Sequence, residues 1–339
     1  MVTIKLKSAR AEFHLELHDK ITIIKGVSGS HKTQMIKIIE ARGSTYKVSI
    51  SDVRYRVITL NASNWEAIVR PNGGSEQRYI YFVDDADFVE QMDFSNLVKR
   101  DTTNYYVFIN RVSGMLSFNV DSIYKLDRSE NIHWVTPMYS LQYAHEVKSE
   151  DVVMTEDKTS GKRWWEEFLH RCESSEGNPD IVTFMQKHKN QTIVMAVDLF
   201  GLGYFIEDIL DAAVSLHVDL KFLKEYGSFE YLLLRSNMFR YSLTEDELLG
   251  SVSREIACEK VIDKLTSGKY YKYEKDYNLN YCYYKPCCAR KRKDKCELGL
   301  SGDKFEAILK GTEFEYLLSF RDNKSLGGTI QEKIKNINL

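Results

Sequence analysis

The segment Gly26-Val27-Ser28-Gly29-Ser30-His31-Lys32-Thr33 carries residue types able to hold a polyphosphate. Main-chain N–H groups in a tight glycine turn through Gly26, Ser28, Gly29, Ser30 and His31, and at the start of a following helix, can wrap an anion. The Lys32 ammonium can neutralise its outer phosphates, and the Thr33 hydroxyl can ligate Mg²⁺. Further along, apolar runs end in polar groups: Asp84-Asp85, Asn110-Arg111, Glu156-Asp157 and Asp198. Carboxylates in such places suit a hard divalent cation, which takes oxygen ligands.

These residues need elements to position them. An apolar run, Ile21-Thr22-Ile23-Ile24, precedes the glycine-rich segment and a helical pattern, Gln34 to Glu40, follows it. Tyr46 to Ile50 and Tyr55 to Leu60 read as short strands, Asn64 to Arg70 as a short helix, and Pro71-Asn72-Gly73-Gly74 as a break. Tyr79 to Val83 is a continuous apolar strand ending in the Asp84-Asp85 pair, as a buried parallel strand would be. A helix from Phe88 to Lys99 leads to the strand Tyr105 to Ile109, and Ser122 to Leu126 would complete a parallel sheet of about five strands. Ligands of such sheets bind at the C-terminal ends of the strands.

In that order and context, the glycine-rich segment resembles a Walker A phosphate loop and Tyr79 to Asp85 a Walker B motif, with His31 standing where the family has its second glycine. The strand ending in Asn110 resembles the additional central strand of one branch of P-loop ATPases. The resemblance implies ATP and Mg²⁺ as cofactors, with Asp84 supporting the metal and Asp85 polarising the attacking water. Many relatives have Glu at that second position. It also implies that Asn110, with Arg111 second, senses the γ-phosphate. About 45 residues separate Thr33 from Tyr79, with no LSGGQ-like signature, coiled-coil insertion or helical lid. That argues for a reduced, switch-like core. A small-molecule kinase shares the loop, but lid arginines and an acceptor site are not evident.

In the second half, Asp151 to Thr155 reads as a strand ending in Glu156-Asp157, followed by an aromatic helix from near Arg163. Thr192 to Val197 is a strand ending at Asp198, followed by a helix from Phe205 to Ser215. A further strand, His217 to Leu223, leads into Ser228 to Leu234. This pattern resembles the TOPRIM domain of topoisomerases, primases and overcoming-lysogenization-defect nucleases. The resemblance implies Mg²⁺ on Glu156 and Asp198, supported by Glu230 and Asp157, for phosphodiester chemistry. The family's Asp-x-Asp is here Asp198-Leu199-Phe200, so one ligand is absent from its expected place.

Cys282, Cys287, Cys288 and Cys296 supply thiolates for a tetrahedral Zn²⁺, or are reduced free thiols. Seven tyrosines between Tyr270 and Tyr284 precede Arg290-Lys291-Arg292-Lys293. This pattern suits a nucleic-acid backbone and stacked bases, or a solvated loop. The chain closes with an expected helix from Lys304 to Phe320 and a polar tail.

With 339 residues, 43% hydrophobic and 28% charged, the expectation is an α/β protein of more than one domain: a P-loop ATPase-like domain over 1–145, a TOPRIM-like α/β domain over 150–260, and a Tyr/Cys-rich basic segment with a C-terminal helix over 261–339. A net charge of −2 gives no global reason to bind nucleic acid. The N-terminus alternates like a strand without the apolar core of a signal peptide, and no run reaches the roughly 18 apolar residues of a membrane span. A cytoplasmic protein without a membrane partner is expected. The combined resemblance implies a nucleotide-controlled nucleic-acid processor of a mobile-element or phage-defence kind, acting on DNA or RNA, as a homo-oligomer or with a partner subunit. The alternative is a non-catalytic, nucleotide-gated scaffold.

Overall fold

The run Tyr105–Ile109 is apolar at every position and buried at every position, because it lies inside a sheet covered on both faces. In the computed structural model, residues 1–26, 31–41, 43, 45–69, 77–84, 87–129, 132–158, 162, 165–166, 169–224, 226–237, 239–265, 306 and 309–320 are described. They show an α/β protein with one mixed and one parallel sheet. The chain divides into two units. The first comprises Met1–Ser140, Phe200–Tyr204 and Leu243–Ala257, and the second Leu141–Leu199, Phe205–Ser242 and Cys258–Leu339.

In the first unit the strands are β1 (Val2–Lys7), β2 (Glu12–Leu17), β3 (Ile21–Lys25), β4 (Lys47–Ile50), β5 (Tyr55–Leu60), β6 (Arg78–Val83), β7 (Tyr105–Ile109), β8 (Ile123–Ser129) and β9 (Ile132–Pro137). They form one nine-stranded sheet in the order β4-β1-β2-β9-β8-β3-β7-β6-β5. From β8 to β5 every neighbouring pair is parallel. The helices here are α1 (Lys32–Glu40), α2 (Trp65–Val69) and α3 (Met92–Arg100). α1 packs Met35, Ile36, Ile38 and Ile39 into the core, the i, i+1, i+3, i+4 spacing of one helical face.

The sheet corrects the expectation of about five strands. β1, β2, β4 and β9 extend the parallel core, and β4 lies at the far edge, antiparallel to β1, not beside β5. β1 and β2 alternate buried and exposed residues, the pattern of a sheet with one solvated face. Two later segments also belong to this unit. The Gly203 N–H donates to the Phe118 carbonyl at 3.1 Å, and a Cβ at Gly203 would fall 2.5 Å from that oxygen, so only glycine permits the approach. The short helix α7 (Glu245–Leu249; α4 to α6 lie in the second unit and are given next) begins in a capping box made by Thr244 and Glu247. Its Glu245 accepts from the Tyr55 hydroxyl at 2.5 Å and the Tyr105 hydroxyl at 3.1 Å.

The second unit holds a four-stranded, wholly parallel sheet, β11-β10-β12-β13, from β10 (Val152–Thr155), β11 (Cys172–Ser174), β12 (Thr192–Ala196) and β13 (Asp219–Phe222). α4 (Ile181–Lys187) links β11 to β12, and α5 (Ile206–Ser215) links β12 to β13. α6 (Phe229–Arg235) follows, its first turn capped by the Ser228 hydroxyl accepting from the Tyr231 N–H at 3.0 Å. α8 (Arg254–Leu265), the last long helix among the described residues, belongs to the first unit up to Ala257 and to the second from Cys258. The helix expected over 304–320 is not continuous. Gly311 has φ 73, turns occupy 310–316, and helix resumes only at 317–320.

Candidate functional site

β3 ends at Lys25, Gly26 follows, and α1 begins at Lys32. His31 is the residue before the helix and adopts the left-handed conformation, φ 65 and ψ 14, which glycine adopts without strain. Its carbonyl accepts the Gln34 and Met35 N–H groups at 2.9 and 3.2 Å. Lys32 is 9% exposed, and its ammonium donates to the Gly26 carbonyl. Thr33 is exposed at the same helix start. Ser28, Gly29, Ser30 and Asp85 lie outside the described residues.

Register brings two more of the expected residues to this edge. β7 pairs with β3 on one side and β6 on the other, with Ile24 opposite Ile109 and Val83 opposite Phe108. Asp84 and Asn110 are the next residues after those strands. Asn110 is exposed and left-handed at φ 66, and its N–H donates to the Ile24 carbonyl at 2.9 Å. Arg111 forms an exposed ion pair with Asp87 at 2.7 Å.

In the second unit, Thr155 pairs with Ala196, so Glu156 and Asp157 leave β10 beside the point where the chain continues to Asp198. The Ser174 hydroxyl donates to the Glu156 carbonyl and the Thr155 hydroxyl to the Asp157 carbonyl, both at 3.1 Å, which fixes this turn. Glu230, in the first turn of α6, is 4% exposed. Tyr226 was not anticipated. It is 4% exposed, its ring meets Trp165 edge-on at 4.9 Å, and burial followed by the charges of Glu230, Asp198 and Asp157 pushes its phenol well above the usual tyrosine range. The charges of all three carboxylates thus act on one buried phenol. Glu259 was also missed: its carboxylate lies within 4.8 Å of that of Glu230. It stands mid-helix, with no strand-end signal to reveal it.

Among the described residues, Glu156, Asp157, Asp198, Glu230 and Glu259 offer oxygen alone, which suits Mg²⁺ or Mn²⁺ rather than a thiolate-bound metal. Cys282, Cys287, Cys288 and Cys296, with the tyrosine-rich and basic stretches, lie outside the described residues. Phe200, at the position of the expected second Asp, is 4% exposed and packs in the first unit with the Arg254 guanidinium 4.7 Å above its ring. Among the described residues, no helix is long and apolar enough to cross a membrane. No protein-family model matches the chain, and no curated protein matches it.

Proposed function

We propose that the chain binds ATP through a small P-loop ATPase core and couples it to a TOPRIM-like effector that processes nucleic acid with Mg²⁺, in a mobile-element or phage-defence setting. The observation that carries this reading is the Lys32 ammonium turned back onto the Gly26 carbonyl at the end of a central parallel strand. A lysine so placed spans the loop mouth, where phosphate oxygens would replace the carbonyl as its acceptor. The strand order β8-β3-β7-β6-β5 supports the branch with an additional central strand. Mg²⁺ would be held at Thr33 and Asp84, and Asn110 is near enough in register to sense the outer phosphate.

In the second unit Glu156, Asp198 and Glu230, with Asp157, would hold Mg²⁺. The cation would supply charge stabilisation to the oxygens of a phosphodiester. Tyr226, whose phenol feels the charges of Glu230, Asp198 and Asp157, is buried with Trp165 against it.

Calorimetric titration with Mg·ATP tests the first half of the reading. Lys32→Ala should weaken binding by about 100-fold, the scale expected when a charge-assisted contact is lost. Equal binding by native and variant would refute it. A nicking assay on supercoiled DNA with Mg²⁺ or Mn²⁺ tests the second half: Asp198→Ala should keep ATP binding and lose cleavage. Phe200, apolar and buried where a carboxylate was expected, favours the scaffold reading. Intact ATP binding with no cleavage by the native chain would establish that alternative.

A further inference from the structure

We propose that His133 is a positioning residue for the phosphate loop, acting through His31; the inference rests on the reading that Gly26 to Thr33 binds ATP. The residue before Lys32 is left-handed, and its carbonyl anchors the first turn of α1. A side chain is strained in that conformation where glycine is not. His31 makes no side-chain capping bond that would offset the strain. What it does make is a ring contact. Its imidazole lies 4.9 Å from that of His133, tilted by 36°, and His133 stacks at 4.8 Å and 17° on Phe13.

Phe13 and His133 are directly opposite each other on β2 and β9, and are 0% and 2% exposed. They form a buried aromatic shelf, and the exposed ring of His31 rests on its outer end. The shelf belongs to strands outside the parallel core, so the extension of the sheet has a task at the loop. It holds a non-glycine residue in the conformation that aims Lys32 and the first N–H groups of α1 at an anion. His133 acts on the site through its ring contact with His31.

A double-mutant cycle on the full chain, read by Mg·ATP titration, tests this. His133→Leu keeps a buried apolar side chain but removes the ring. It should weaken binding about tenfold with His31 present, the equivalent of left-handed strain no longer offset. In the His31→Gly background it should change affinity less than about twofold, because glycine needs no shelf. His31→Ala, which keeps the strain and loses the ring, should bind more weakly than His31→Gly, and His133→Phe should restore what His133→Leu loses. Equal losses in both backgrounds, with native circular dichroism, would overturn the proposal. If the native chain bound no Mg·ATP, the nucleotide reading itself would fall. The same cycle read by thermal unfolding without nucleotide then decides the shelf: His133→Leu should lower Tm more beside His31 than beside glycine, and equal drops would overturn it.

Discussion

The two units end parallel strands in polar residues, but with different balances of charge, Lys32 beside Asp84 in one and carboxylates alone in the other. In the first, the edge offers main-chain N–H groups, the Lys32 ammonium and the exposed Thr33 hydroxyl around the start of a helix. In the second, the charges of Asp157, Asp198 and Glu230 act on a buried phenol, and Glu156 leaves β10 beside β12 in register. On the proposed reading, the same topological position would take a nucleotide with its Mg²⁺ in one unit and a cation held by carboxylates alone in the other. Side-chain chemistry, not strand order, sets the ligand. The foundations differ too: main chain and one lysine on one side, an aromatic pair on the other.

The largest effect should come from removing that aromatic pair. Trp165 is fully buried and its ring meets Tyr226. Trp165→Ala should destabilise the protein by about 3–5 kcal/mol in urea denaturation, the range for deleting a large buried aromatic. A loss under about 1 kcal/mol would show that the pair is not a main support of the fold.

The different charge balances also predict separable ligand effects. At about 100 times its Kd a ligand specific to the fold stabilises by about 2.7 kcal/mol. Mn²⁺ alone should raise the unfolding midpoint of the native chain and of Lys32→Ala, but not of Asp198→Asn. The additional rise with ATP should show the reverse dependence. If both variants lost both effects, the contrast between the units would collapse into one shared site.

What could be read in the sequence follows from where information is local. The run Tyr105–Ile109 declared a strand buried on both faces, and the apolar run before Gly26 and the helical pattern after Thr33 declared β3 and α1. The joining of the β8–β9 hairpin to β2 could not be placed, because β9's second partner lies more than a hundred residues away, with Glu12 opposite Ile132. Nor could the return of Phe200–Tyr204 to the first unit, which depends on a glycine approaching the Phe118 carbonyl. The acids at strand ends were legible by type. Tyr226 and His133 were not, since each meets its neighbour, Trp165 or His31, only through tertiary packing.

The smallest predicted effect compares one tyrosine from each unit. Tyr106 is held neutral by burial and then by Asp101, which also accepts its hydroxyl at 2.6 Å. Tyr226 is held neutral by burial and then by Glu230, Asp198 and Asp157. In both, the folded phenol keeps its proton above the ordinary value of 10.0 at which the unfolded chain releases it. Their contribution to stability is thus complete below pH 10 and declines as pH rises from there towards the folded value, by about 1.4 kcal/mol per pH unit for each group. Urea midpoints measured from pH 9 to 11 should fall with that slope, and Tyr106→Phe or Tyr226→Phe should each flatten it by one group's share. A slope that Tyr226→Phe left unchanged would mean the phenol does not sit among those charges, and the contrast between the two edges would lose its second half.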